Sequence, residues 1–261
     1  MAARGTIIVT GASSGIGRAI AGHLSREGFD VVGTSRSAPD LERLDVTDEA
    51  SCAALVRRVL ARTGRIDGLV NNAGQAMLGA QEECTTDEVR ALFDTNVFGA
   101  MRMTRAVLPT MRVAKRGRIL HVSSVVGRIP APFMGAYGAT KHALEGYSTA
   151  LDHELRGTGV RSVLVRAGFM RTAIAAGTVR VGASLDAYAT ARGRFEEALS
   201  RSLAGAADPV IVARCVAALL ATPNPRLAYA AGREAASLAR AATWLPEAAF
   251  SRSLRRQFGL S

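Results

Sequence analysis

Three residues near the middle of the chain have the types and spacing needed to move a proton. Tyr137 and Lys141 stand four apart, so on a helix they share one face. Ser124 precedes the tyrosine by thirteen residues. An ammonium beside a phenol favours the phenolate, which is expected to draw the tyrosine pKa below its ordinary ~10. A serine hydroxyl can hydrogen-bond an oxygen on which negative charge develops. A lone Tyr-x-x-x-Lys is common by chance, so the elements around it must supply the reason for one.

Those elements are legible. Arg118 to Val122 has the apolar, β-branched pattern of a buried strand, and Ser123 and Ser124 close it. A loop over 125–136 follows, containing Gly127, Pro130 and Pro132, and is expected to wall a substrate pocket. A helix begins near Gly135 and carries Tyr137 and Lys141. At the start of the chain, Thr6 to Thr10 is a short apolar run of the kind buried on both faces of a parallel sheet. It leads into Gly11-Ala12-Ser13-Ser14-Gly15-Ile16-Gly17, and then a helix with Ile16, Ile20 and Leu24 on one face. Strand, glycine loop and helix in this order suit a dinucleotide. The glycines let the backbone approach a pyrophosphate, and the helix N-terminus offers it free N–H groups.

Phe29 to Thr34 reads as a second strand, followed by Ser35 and Arg36. A carboxylate at this point would hydrogen-bond the ribose of NAD. A guanidinium stands there instead, which favours the 2′-phosphate of NADP(H) over NAD(H). Ser37 to Glu42 is too short for a crossover helix, and Arg43 to Thr47 reads as a short third strand carrying Asp45. Asp48 to Arg62 has helical spacing, with Leu55, Val59 and Leu60 apolar. Ile66 to Val70 reads as a fourth strand, ending in Asn71-Asn72-Ala73-Gly74. Thr85 to Met111 is expected to be one long helix capped at Thr86. Asn96 lies in its middle, either as a satisfied core amide or as a polar group kept for a water or a backbone bond.

Val160 to Arg166 reads as a further strand, leaving through Ala167-Gly168-Phe169-Met170-Arg171-Thr172. The segment 169–208 is rich in small residues and weakly periodic, and reads as a helical lid over the pocket. Met134, Ala175, Ala176 and Val181 suggest an uncharged pocket there, whereas Arg171 and Arg180 would suit an acid. Pro209 to Ala221 is a helix with proline in its first turn, and Arg226 to Ala231 a last strand. Trp244-Leu245-Pro246 precedes a basic amphipathic tail from Phe250 to Leu260, expected to pack on the body rather than touch membrane or ligand. Six or seven strands alternating with helices predict an α/β fold, a doubly wound parallel sheet in one domain over 1–261. In such a sheet the site lies at the carboxyl ends of the strands. The glycine loop, the Asn-Asn-Ala-Gly turn, Ser124 and Gly168 all fall at such ends.

The 261 residues carry a formal net charge of +11. Lys115 and Lys141 are the only lysines; the other basic residues are arginines spread along the chain. That distribution matches a GC-rich bacterial composition and argues against nucleic acid as a partner. No apolar run reaches the length of a membrane span, and the N-terminus goes almost directly into a strand, so a cytoplasmic protein is expected. Cys52, Cys84 and Cys215 have neither metal spacing nor a disulfide pattern and are expected to be reduced thiols.

Taken together, these residues resemble the short-chain dehydrogenase/reductase family in its compact single-domain form. The likeness covers nearly the whole chain. Thr10-Gly11-x-x-x-Gly15-x-Gly17 is similar to its cofactor loop, Asn71-Asn72-Ala73-Gly74 to its structural turn, and Asn96, Ser124, Tyr137 and Lys141 to its catalytic tetrad. A looser likeness, through Tyr229, Gly232, Leu245-Pro246 and Arg255-Arg256-Gln257-Phe258-Gly259, points to the branch near retinol and 17β-hydroxysteroid dehydrogenases. The resemblance implies a Rossmann fold and cofactor contacts from Gly11, Ser13, Ser14, Gly15, Ile16, Gly17, Ser35, Arg36, Asp45, Val46, Asn72, Ala73, Gly74, Tyr137, Lys141, Ala167, Gly168, Met170 and Thr172. Two features depart from the family: Ala167-Gly168 replaces its Pro-Gly, and the link after Arg36 is short.

The implied reaction is hydride transfer between a cofactor and a carbonyl or alcohol carbon, with a proton from Tyr137 and the substrate oxygen held by Ser124. Lys141 would hold the nicotinamide ribose, and Asn96 a water relaying protons from Lys141. Lipophilic ketones or secondary alcohols of steroid, retinoid or polyketide type are the expected substrates, with no metal and a homodimer or homotetramer built on the long helices after Thr85 and Tyr137. A non-catalytic NADP(H) sensor and a sugar-nucleotide epimerase or dehydratase are the competing readings.

Overall fold

The computed structural model describes residues 4–171 and 178–260. Seven parallel strands form the main sheet: β1 (Thr6–Val9), β2 (Asp30–Ser35), β3 (Glu42–Arg43), β4 (Gly68–Asn71), β6 (Gly117–Ser124), β7 (Val160–Ala167) and β9 (Ala228–Ala231). Their order is β3-β2-β1-β4-β6-β7-β9. The chain therefore winds outward in one direction from β1 and then in the other. This leaves a crevice at the carboxyl ends of β1 and β4, where the winding reverses. The doubly wound Rossmann sheet expected from the strand–helix alternation is thus present.

Successive side chains of a strand point to opposite faces, and the core divides accordingly. Ile7 and Val9 pack with Ile20 and Leu24 of α1 (Gly15–Arg26) and with Val212 and Val216 of α7 (Val210–Ala221). Ile8, between them, packs on the other face with Leu55 and Val59 of α2 (Glu49–Thr63). Met103 and Val107 of α4 (Gly99–Val113) and Leu151 of α5 (Gly135–Glu154) complete that layer. Asp48 caps α2 by accepting from Ala50 N, and Gly64, with φ of 69°, ends it in the left-handed conformation that glycine tolerates.

Several expected boundaries shift. The third strand is only Glu42–Arg43; Asp45 lies in the loop beyond it, where its carboxylate is turned back onto Thr47 N and Oγ1. The long helix from Thr85 is broken into α3 (Thr86–Phe93), a π-helical turn over Asp94–Phe98 and α4. Its cap is Thr85, not Thr86, because Thr85 and Glu88 satisfy each other's backbone N–H groups reciprocally. A second, two-stranded parallel sheet joins β5 (Ala76–Leu78) to β8 (Thr178–Arg180). The rest of the segment read as a lid contains α6 (Ala189–Ala204). Two helices follow the last strand, α8 (Arg233–Trp244) and α9 (Glu247–Gln257). The tail packs on the body as expected, with Phe258 buried against Phe195 of α6 at a ring separation of 5.1 Å.

Candidate active site

The glycine loop is built by steric exclusion. Gly11 and Gly15 have φ of 67° and 52°, values that suit glycine. A Cβ on Gly17 would lie 2.1 Å from the carbonyl oxygen of Gly11, so α1 begins tight against the loop only because that position has no side chain. The turn after β4 locks this loop from the other side. Asn72 Nδ2 donates to the carbonyls of Thr10 (2.9 Å) and Gly11 (3.2 Å), while Thr10 Oγ1 accepts from the N–H groups of Asn72 and Ala73. The N-cap Ser14 makes no side-chain capping bond, so the first N–H groups of α1 have no capping partner from it. These features fit a dinucleotide pyrophosphate, which needs close backbone approach and free donors.

Ser124 ends β6, its oxygen accepting from Val126 N at 3.4 Å, and its hydroxyl hydrogen-bonds the Tyr137 phenol. Lys141 lies one turn along α5 from Tyr137, with Nζ 5.7 Å from the centre of the tyrosine ring and donating to the carbonyl of Val122 at 3.0 Å. Burial dominates both titrations. It pushes the Tyr137 phenol up to about 12, against the opposing hydrogen bond from Ser124. It lowers Lys141 to about 8, with Glu145 opposing the fall. The expectation that Lys141 depresses the phenol is corrected here. The ammonium is directed at a carbonyl, and desolvation disfavours the phenolate.

Asn96 is buried in the π-turn. Its Nδ2 donates to Gln75 O (2.9 Å) and Thr140 Oγ1 (3.1 Å), and its Oδ1 accepts from Gln75 N (2.8 Å). Thr140 in turn donates to the carbonyl of Tyr137 at 2.7 Å, so the amide ties the strand-end turn to the helix that carries the tyrosine. The two roles left open for this residue therefore meet in one: a satisfied amide with two bonds to the Gln75 backbone and one to the Thr140 hydroxyl at the site.

A cavity of about 660 Å³ joins these parts. It brings together Gly11, Ser13, Ser14, Gly15 and Ile16 of the loop, and Ser35, Arg36, Asp45 and Val46 at the β2 end. Asn72, Ala73 and Gly74, then Ser124, Tyr137 and Lys141, and finally Ala167, Gly168 and Met170 complete the expected set. Gly17 and Asn96 stand behind its wall, and Thr172 lies outside the described residues, as do Ala175 and Ala176. Val125, Val126 and Met134 form a wall from the loop after β6. Within that loop Phe133 is held at φ 56°, its carbonyl accepting from Gly79 N.

The segment read as a helical lid over 169–208 contributes α6 to the cavity. Glu196, Leu199, Ser200 and Leu203 of α6 line it, together with Arg180, whose guanidinium pairs with Glu196. Arg171 pairs instead with Asp208 at 3.4 Å and does not line the cavity, and Val181 packs beside Met77, Leu92 and Ala136. Glu83 fastens the cover, accepting from Leu185 N (2.8 Å) and Arg192 (2.6 Å), and these bonds hold its carboxyl below the usual range. Glu83 sits beside a run of polar residues with no periodic signal, so only the fold could reveal it. Glu145 was missed too, although its spacing of four from Lys141 was there to be read.

A doubly wound sheet with a glycine loop at its switch point is a dinucleotide-binding architecture. The model of the short chain dehydrogenase family matches residues 5–180, and the chain belongs to the short-chain dehydrogenase/reductase family. It is 41% identical over 172 residues to a 3-ketodihydrosphingosine reductase of Bacteroides thetaiotaomicron, spanning 64% of each chain, under two thirds of that relative's length. A crystal structure of a short-chain dehydrogenase from Streptomyces avermitilis is similar over 97% of this chain and 98% of its own, with 35% identity and a TM-score of 0.80. A metagenomic short-chain oxidoreductase in complex with NADP is similar over 87% of this chain and 96% of its own, with 29% identity and a TM-score of 0.70.

Proposed function

We propose that this oxidoreductase is an NADP(H)-dependent reductase of a ketone on a lipophilic substrate, with Tyr137 as the proton donor. The observation that carries the reading is one cavity shared by the glycine loop, Arg36 and the Ser124–Tyr137–Lys141 group. A bound nicotinamide dinucleotide supplies the hydride. Arg36, exposed at the end of β2 and without an ion pair among the described residues, is suited to a 2′-phosphate. The NADP in the metagenomic relative supports the same choice.

The tyrosine's raised pKa supports the reducing direction. A phenol near 12 keeps its proton at neutral pH and gives it up only to a stronger base, such as a forming alkoxide. Ser124 holds the same substrate oxygen. The Asn96 amide has both N–H groups occupied, so a relay water would bond there as a donor, to Oδ1 or to the residue's backbone carbonyl. The apolar wall of Val125, Val126, Met134 and Leu199 suits a lipophilic ketone, and the name of the Bacteroides relative describes reduction of one. Helix α6 acts as the lid.

Purified protein mixed with NADPH and a panel of long-chain, alicyclic and aromatic ketones tests this. Loss of NADPH absorbance with the lipophilic members is expected. NADPH binding without consumption across the panel would favour a sensor.

A further inference from the structure

One turn beyond Lys141 on α5, Glu145 is buried in a polar cluster that the reaction outlined above does not use. Its Oε1 accepts from Ser123 Oγ (3.0 Å) and Arg166 Nε (2.8 Å), and its Oε2 from Arg166 at 2.7 Å. The bidentate geometry fixes the carboxylate plane. A Cβ on Gly127 would lie 2.8 Å from both Glu145 Oε1 and Ser123 Oγ, so the turn after β6 closes directly over the pair. Register places the partners: Ser123 and Arg166 are matched across β6 and β7, one residue from the Val122 carbonyl that receives Lys141.

We propose that Glu145, clamped by Ser123 and Arg166, is a positioning residue that keeps Lys141 a charged ammonium bonded to Val122, and that Arg166 tunes this effect by taking up part of the carboxylate's charge. The inference rests on Lys141 being part of the reacting group. The titratable and charged groups around Lys141 are Tyr137 and Glu145 on its own helix, His121 on β6 and Arg166 on β7. His121 is held neutral by burial, its pKa lowered to about 3, and Tyr137 keeps its proton to about 12. Near pH 8, where Lys141 titrates, Glu145 is thus the neighbouring anion, and Arg166 is the cation paired with that carboxylate. Opposite charges favour the ammonium and like charges oppose it.

The two variants therefore move Lys141 in opposite senses. Glu145→Gln removes the anion and leaves Arg166 unbalanced, so Lys141 loses its proton about 1 pH unit lower. Arg166→Met leaves the carboxylate with only Ser123, so Lys141 keeps its proton to higher pH. A general loss of packing would not give opposite displacements. The chain has two lysines, so protein labelled with 13C-lysine gives two Cε signals, and Lys115→Arg assigns them.

Following the Lys141 signal against pH reads the effect without turnover, in folded variants checked by circular dichroism. Opposite displacements, with Glu145→Asp returning the midpoint towards wild type, are expected. A wild-type midpoint in Glu145→Gln, or displacement of both variants in one sense, overturns the inference. Should Glu145→Gln not fold, Arg166→Met decides: a midpoint at or below wild type overturns it. Inactivity towards every ketone would overturn the proposed reaction and leave the titration readable.

Discussion

Tyr137 and Lys141 line the cavity, His121 is buried beside Lys141, and burial acts on each according to the sign of its charge. The phenol is raised to about 12, and the ammonium and imidazolium are lowered to about 8 and about 3. For His121 this links stability to pH. Unfolded, it binds a proton below its ordinary ~6.5; folded, it does not until about 3. Between those values the unfolded state holds more protons, so stability falls as pH falls, by up to about 1.4 kcal/mol per pH unit from this residue. Urea unfolding at pH 7, 6 and 5 should show a steeper loss for wild type than for His121→Asn; parallel curves would contradict the account. At the other end of the cavity, Arg36→Asp should shift preference from NADPH towards NADH by about tenfold or more, the effect of losing one charge-assisted contact. Unchanged kcat/KM ratios would remove Arg36 from the cofactor site. Ser124, Tyr137 and Lys141 were readable because their spacing is local to one strand, one loop and one helix. The pKa directions were not, because they depend on desolvation and on where Nζ points.

The elements differ in how much they reveal in sequence. Strands β1, β4, β6 and β7 are buried on both faces and read as apolar runs. The π-turn at Asp94–Phe98 escaped because one extra residue per turn leaves the apolar pattern of the long helix almost unchanged. The lid was legible as a helical segment over 169–208, but its helix bounds and its fastenings were not. Phe195 and Ala198 are the buried residues of α6, so it shows little amphipathic stripe. Polar bonds fasten it instead: Glu83 to Leu185 N and Arg192, Glu88 to Gly182 N, and Glu82 from Tyr188. Glu83→Ala should free this edge. Hydrogen exchange of the α6 amides should quicken, and KM for a lipophilic ketone should rise roughly tenfold, with tenfold corresponding to about 1.4 kcal/mol. Wild-type exchange in that variant would show that the latch does not hold the helix.

Across the whole molecule, the formal charge of +11 conceals how the arginines are used. Arg65 pairs with Asp67, Arg102 with Asp94, Arg161 with Asp152, Arg166 with Glu145 and Arg192 with Glu83. Two of these pairs, Arg161–Asp152 and Arg166–Glu145, are largely buried and tie β7 to α5. Among the described residues no helix is long and apolar enough to cross a membrane. Assembly through α4 and α5 is our proposal, supported by exposed Phe98 and Val113 at the two ends of α4. Sedimentation should therefore show a dimer or tetramer, and a monomer at every concentration would exclude it. The fold was legible at this scale because winding order follows from alternation of strands and helices. That the tail packs on the body was legible too; its partner was not, because the contact of Phe258 with Phe195 is long-range. The central claim is that Tyr137 delivers the proton in a ketone reduction carried out beside the glycine loop. Its most direct test is the single-turnover rate of NADPH oxidation by Tyr137→Phe with a ketone that wild type reduces. The account predicts a rate lower by about 10²–10⁴-fold with NADPH affinity retained, and a rate near that of wild type would contradict it.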